Sequence, residues 1–249
     1  VDPQVKSNFQ PNFVNLFVSR TDIPAIGDID GDTDLDVLTF DIFGSVVEYH
    51  RNLSMETYGT CDSLIFELRN RCWGFFSESW TSSSLNLFDT CQGNVPSPER
   101  PMIIDEPDSR VHAGSTLLDI DLNADGVKDL ILGDVSSTRL VELINGGTVT
   151  SSSIVEQDTM FPSYDTPVDL PIHPAGYYLD MDNDGVRDLM VSPNDFASEN
   201  HRSMWYYKNN GADDLPVFEL QTTQLLQEDM IDVGAVSYTH LTLPTNGCV

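Results

Sequence analysis

Short apolar runs alternate along this chain with turns rich in Asp, Asn and Gly. In three places the same order recurs: an apolar run (IPAIG, STLLDI, GYYL), an acidic nonapeptide, and a second apolar run (VLTF, LIL, LMV). Runs this short, rich in β-branched and aromatic residues and bounded by turn formers, predict strands rather than helices. A pair of them around one polar loop predicts a hairpin. A third run follows each hairpin and ends on Asn: VVEYHRN at Asn52, LVELIN at Asn145 and MWYYKN at Asn209. Asn52 lies 16 residues after Asp36, Asn145 lies 16 after Asp129, and Asn209 lies 21 after Asp188. The five-residue excess falls around NDFASENHR, as a loop insertion would. Phe-Glu-Leu recurs at Phe66–Leu68 and Phe218–Leu220 and predicts a fourth strand. Four short antiparallel strands per unit predict an all-β chain of propeller blades.

The nonapeptides begin at Asp28, Asp121 and Asp180, so successive units start 93 and 59 residues apart. About 60 residues is the bare period, which places units near 12–69, 111–160 and 170–222. The first gap carries about 34 extra residues, an insertion near 69–105 that holds Cys72, Cys91 and two of the three Trp. A long excursion on a repeat array either carries binding specificity or covers an exposed edge. Cys61, Cys72 and Cys91 show no C-x-x-C spacing. They predict one disulfide, Cys72 with Cys61 or Cys91, the alternative being three reduced thiols. The stretch VSYTHLTLPT (236–245) reads as an in-frame translation of a transposase sequencing adapter. Residues 236–249 are therefore expected to be a non-native tail, with native sequence in 1–235. At about 60 residues per unit, 235 residues fall short of a closed propeller, so an incomplete fragment with unpaired edges and poor autonomous stability is expected.

The three acidic loops are DIDGDTDLD (28–36), DLNADGVKD (121–129) and DMDNDGVRD (180–188). Alternate residues of a tight loop point inward, so positions 1, 3 and 5 converge: Asp28, Asp30 and Asp32; Asp121, Asn123 and Asp125; Asp180, Asp182 and Asp184. Position 7 offers a backbone carbonyl (Asp34, Val127, Val186), and position 9 closes the shell (Asp36, Asp129, Asp188). Such an all-oxygen set fits Ca2+, which takes six to eight oxygens in flexible geometry, better than Mg2+, which demands a rigid octahedron. Carboxylates ~5 Å apart repel by about 3 kcal/mol per pair at an effective dielectric of ~20, which a divalent ion would relieve. About three Ca2+ ions are expected. An EF-hand is excluded, because position 12 is Thr39, Leu132 or Val191 rather than Glu, and the flanks are strand-like. Gly126 and Gly185 supply the positive φ expected at position 6, where the first loop has Thr33. That loop is expected to be distorted or weaker.

Composition narrows the partners. With 40 Asp+Glu against 12 Lys+Arg, the net charge is −28, which argues against nucleic acid and anionic membrane surfaces. No apolar run reaches the ~18 residues of a membrane span, so no membrane insertion is expected. The opening residues show no signal-peptide pattern, and without an initial Met the chain is expected to begin inside a longer protein.

With these loops in view, the chain resembles the FG-GAP/VCBS repeat family over roughly residues 12–235. The family's signature is a D-x-[DN]-x-D-G-x-x-D loop followed by a short apolar strand. IPAIGDIDGDTDLDVLTF, YYLDMDNDGVRDLMV and MWYYKNNGADDLPVFEL look most like repeats of secreted or surface proteins of Bacteroidetes. The resemblance implies an integrin-α-like β-propeller with Ca2+ in its hairpin loops, an extracellular setting, and a C-terminal sorting domain beyond the chain.

Three functions are compatible with this pattern. The first is a calcium-stabilised adhesion or binding module with an unknown protein or glycan ligand, monomeric within a longer chain. The second is the propeller of a secreted polysaccharide-degrading, lyase-like enzyme, and the third is a structural spacer. The sequence contains no G-x-S-x-G, H-E-x-x-H, S-x-x-K or glycine-rich phosphate loop, so no enzyme is predicted. Among His50, His112, His173 and His201, only His173 has an aromatic neighbourhood, and packing is its expected role. Asp105-Glu106 and Asp213-Asp214 read as solvated loops. Trp205-Tyr206-Tyr207 alternates faces, so core packing is expected there.

Overall fold

The structure is a computed structural model that describes residues 5–9, 12–42, 44–78, 85–91, 114–195, 198 and 202–228. The expected tail (236–249), His112, His201 and Asp105-Glu106 lie outside the described residues. The described chain is all-β, with one short helix and one 3-10 turn. Its strands are β1 (Lys6–Phe9), β2 (Asn12–Asn15), β3 (Ala25–Gly27), β4 (Asp36–Phe40), β5 (Val47–Asn52) and β6 (Phe66–Asn70). There follow β7 (Phe76–Glu78), β8 (Leu85–Leu87), β9 (Ser115–Ile120), β10 (Asp129–Asp134), β11 (Leu140–Asn145) and β12 (Ile154–Phe161). The last four are β13 (Pro174–Leu179), β14 (Asp188–Pro193), β15 (Trp205–Asn209) and β16 (Phe218–Thr222), and helix α1 (Ser54–Tyr58) follows β5.

Three antiparallel meanders, β3–β6, β9–β12 and β13–β16, form three sheets, none closed into a barrel. In each, the acidic loop joins the first two strands, and the third strand ends on Asn52, Asn145 or Asn209. The first strands lie side by side, β3 against β9 and β9 against β13. Leu117 donates its N–H to the Ile23 carbonyl at 2.9 Å, and Thr116 Oγ1 donates to the Pro174 carbonyl at 3.0 Å. Gly133 allows this close approach, because a Cβ there would stand 1.8 Å from the Pro174 carbonyl oxygen. Strand alternation then makes two apolar layers. Leu38, Phe40 and Tyr49 meet Leu130, Leu132 and Leu143 between the first and second sheets. Ile131, Leu140 and Phe161 meet Leu189, Tyr207 and Phe218 between the second and third. Tyr207 is fully buried there, as the alternation of Trp205-Tyr206-Tyr207 predicts.

Two additions depart from the repeat. The hairpin β1–β2 extends the first sheet to six strands, β1 pairing in parallel with β6 through Ser7–Phe66 and Asn8–Glu67. Strand β6 is therefore covered, and β2 becomes the outer edge of that sheet. The other addition is the insertion, stapled by a Cys72–Cys91 disulfide with Cα atoms 6.0 Å apart, while Cys61 is a free, exposed thiol. Its described part runs inward. Trp73, Phe76 and Leu85 join the first apolar layer, and Leu85 exchanges two 2.9 Å hydrogen bonds with the Gln157 side chain on β12. Filling the seam between two sheets is thus the work of these residues. Closing a 19-residue separation, the disulfide contributes about 3 kcal/mol by restricting the unfolded chain.

One half-buried charge opposes the fold. Glu142 of β11 pairs with Asp158 of β12, and burial, reinforced by the Asp158 charge, pushes its carboxyl from 4.5 up to about 7. An acid raised on folding is neutral in both states below its unfolded value. Its penalty grows as the pH rises from 4.5 to about 7 and is complete above that. Glu142→Gln should therefore stabilise the chain at pH 8 by up to about 3 kcal/mol and leave it unchanged at pH 4. Urea denaturation at both pH values checks this, and a pH-independent gain would rule out the charge as the cause.

Candidate metal centre

Each acidic loop is built from its first residue upward. The position-1 carboxylate caps the loop's own backbone. Asp28 accepts N–H bonds from Gly31 and Thr33 at 2.7 and 3.1 Å, Asp121 from Ala124 and Gly126 at 2.9 and 3.0 Å, and Asp180 from Asp184 and Gly185 at 3.2 and 3.1 Å. Winding the chain around that carboxylate takes two residues at positive φ, at positions 4 and 6. They are Gly31 and Thr33 (82° each), Ala124 and Gly126 (60° and 78°), and Asn183 and Gly185 (59° and 93°). Position 4 thus joins position 6, where positive φ was expected, in the left-handed region. The first loop has moved its glycine to position 4 and carries the strain on Thr33, where a β-branched residue in the left-handed region costs about 1–2 kcal/mol. Thr33→Gly should recover about 1 kcal/mol in thermal or urea unfolding, and an unchanged midpoint would show that the loop has relaxed around the threonine.

The position-9 carboxylates do more than close a ligand shell. Asp36, Asp129 and Asp188 are each 0% exposed. One oxygen of each accepts the N–H of position 2, from Ile29, Leu122 and Met181 at 3.2, 2.9 and 3.2 Å. The other accepts the N–H of the terminal Asn, from Asn52, Asn145 and Asn209 at 2.8, 2.7 and 2.8 Å. Those asparagines cap the next turn, Asn145 Oδ1 accepting from Gly147 and Ser153, and Asn209 Oδ1 from Gly211 and Val217. The recurrent Asp-to-Asn spacing is therefore the span of one hydrogen bond. Burial pushes Asp36 up to about 7 and Asp129 up to about 6, against the pull of these N–H donors.

The loops differ in their remaining oxygens. In the first, Asp28, Asp30 and Asp32 each bring an oxygen within 4.8 Å of the others. Asp30 Oδ1, Asp32 Oδ2 and Asp34 Oδ1 are buried with no hydrogen-bond partner. Burial raises the Asp30 and Asp34 carboxyls above the usual range. Arg51 reaches in from β5, its Nε 2.5 Å from Asp30 Oδ2 and its Nη2 3.7 Å from Asp32 Oδ2, and it also pairs with Glu56. In the third loop Asp180, Asp182 and Asp188 converge within 4.8 Å, and Lys208 from β15 pairs with Asp182 and, at 2.9 Å, with Asp184. These two carboxylates raise the Lys208 ammonium above its ordinary value. The second loop, with Asn123 at position 3, brings no three acidic side chains together among the described residues. Ile144 stands there where the other units place Arg51 and Lys208.

Position 7 also divides the loops. Val127 and Val186 donate their N–H groups to Asp125 and Asp184 Oδ1 at 2.8 and 2.9 Å. Asp34 adds a buried carboxylate whose Oδ2 accepts the Met55 N–H at 3.1 Å. Sequence reasoning missed Arg51, Lys208 and Glu56; the residue preceding each terminal Asn was the available signal for the two cations. Asp213, expected to lie in a solvated loop, has a 43% exposed side chain and also accepts from the Arg187 N–H at 2.7 Å and pairs with its side chain at 3.0 Å. His173 is buried, as expected of a packing residue. His50 Nδ1 lies 2.8 Å from Ser7 Oγ, but both residues are sealed from solvent, so the contact ties β1 to β5 and offers no accessible nucleophile. Among the described residues no helix is long and apolar enough to cross a membrane. Comparison with protein-family models, curated proteins and solved structures finds no match.

Proposed function

We propose that this chain is a calcium-structured β-propeller segment of the FG-GAP/VCBS type, acting outside the cell as an adhesion or binding module for a protein or glycan ligand. The observation that carries the cation reading is the trio of buried oxygens on Asp30, Asp32 and Asp34 that accept no hydrogen bond, of which Asp32 Oδ2 has a cation near it, Arg51 Nη2 at 3.7 Å. Leaving carboxylate oxygens unsatisfied in a desolvated loop is costly, and a hard divalent cation satisfies all three at once. The set is oxygen-only, which suits Ca2+ and offers no soft or imidazole donor. The propeller reading is supported by three four-stranded meanders with adjacent first strands and by one acidic loop at the same place in each.

Asp28, Asp30, Asp32 and Asp34 would hold the ion of the first loop, and Asp180, Asp182 and Asp188 that of the third. Asp121, Asn123 and Asp125 form the weakest site, since they bring less charge and do not converge as a carboxylate triad. The first loop, although strained at Thr33, offers the most carboxylates of the three. Isothermal titration of the full chain with CaCl2 tests the reading. Saturable binding at about 10⁻⁴–10⁻³ M is expected, with the tightest site lost in Asp30→Asn. Absence of saturable binding up to 10 mM would overturn it.

A further inference from the structure

We infer that the first acidic loop takes two divalent cations, and that the second is completed by Glu56, a residue outside the repeated nonapeptide. This rests on the reading that the loop binds a cation at all. Two carboxylate triads are present in this unit: Asp28, Asp30 and Asp32, and then Asp32, Asp34 and Glu56, each with its oxygens within 4.8 Å of one another. They share Asp32, whose two oxygens allow it to bridge neighbouring ions.

The second triad is assembled by the fold. Asp34 Oδ2 accepts the Met55 N–H at 3.1 Å, which anchors α1 over the loop and carries Glu56 to it. Asp34 is 1% exposed, and its Oδ1 has no hydrogen-bond partner; Asp32 Oδ2 is likewise buried and accepts no hydrogen bond, with Arg51 Nη2 near it at 3.7 Å. A side chain so thoroughly desolvated, with an oxygen left unsatisfied, points to a ligand beside it. Charge makes the same argument. Asp28, Asp30, Asp32, Asp34 and Glu56 bring five negative charges, and Arg51, paired with Asp30 and Glu56, returns one. One dication leaves the cluster two charges short of neutral, and a second closes the difference. The other units cannot repeat this device, because Val127 and Val186 stand in the place of Asp34 and no helix follows β11 or β15 among the described residues.

The number of ions bound by the full chain, counted by equilibrium dialysis against ⁴⁵Ca2+, tests the inference. Glu56→Gln should bind one ion fewer than the unaltered chain, and Asp30→Asn should lose at least one from the other triad. Glu56→Asp, which keeps the charge but withdraws the carboxylate by one methylene, should weaken one ion at least threefold. If Glu56→Gln retains the full number while Asp30→Asn loses an ion, the second cation is refuted and the single-ion reading stands. If neither variant loses an ion, both readings fail. Unchanged affinity in Glu56→Asp would also refute direct ligation. Glu56 lies at the surface, its side chain 36% exposed, so these variants leave the apolar layers untouched.

Discussion

Asp129→Ala is expected to destabilise the chain by about 3–5 kcal/mol in urea denaturation, while Asp214→Ala on the surface changes it by less than about 0.5 kcal/mol. Asp129 is fully buried, and both of its oxygens are used, by the N–H groups of Leu122 and Asn145. Truncation leaves one buried and one part-buried donor without acceptors, each lost charge-assisted bond costing about 1.5–3 kcal/mol. It also frees Asn145, which holds the turn through Gly147 and Ser153. Asp188→Ala should behave alike, because the same bonds recur there at 3.2 and 2.8 Å. The loss should persist in EDTA, since these bonds join protein to protein. Comparable effects at positions 129 and 214 would remove Asp129 from its place as the staple of its unit.

Calcium should have the second large effect. A cation that binds only the folded chain adds RT ln(1 + [L]/Kd), about 2.7 kcal/mol per site at a hundredfold excess over Kd. For a chain of this size, each kcal/mol corresponds to about 2–4 °C in the melting midpoint. Saturating calcium should therefore raise the midpoint by about 5–10 °C per occupied site, and EDTA should reverse the gain. Asp30→Asn should forfeit the share belonging to the first loop. Magnesium at equal concentration should do less, because these loops present flexible carboxylates rather than a rigid octahedron. A melting curve indifferent to 10 mM calcium would remove the divalent ion from the account.

The meander order was legible because its punctuation is chemical. Apolar runs flank each nonapeptide, and Asn closes each third strand because Asp36, Asp129 or Asp188 receives its N–H. What stayed hidden depends on contacts that periodicity does not encode. Position 4 is left-handed in all three loops, yet Gly31, Ala124 and Asn183 share no residue type. Arg51 and Lys208 sit in strands that pattern reading assigns to packing, and only the fold reveals that both reach across an acidic loop. Glu56 belongs to a helix too short to announce itself. The parallel pairing of β1 with β6 joins residues about 60 positions apart, so local sequence carries no trace of it. Thr33 and the unsatisfied oxygens share one loop, so the strain visible in the sequence and the surplus visible only in the fold bear on the same site.

The bond from Asp188 to Asn209 measures 2.8 Å although its partners are 21 residues apart, whereas the equivalent bonds at 2.8 and 2.7 Å span 16. Extra length between the second and third strands is thus absorbed without disturbing the staple beneath it. The corresponding connection at 135–139, where Ser136 and Thr138 are exposed, becomes a natural grafting position for displaying foreign peptides, whereas the one after β4 is tied down by the Asp41 carboxylate and by buried Ser45 and Val46.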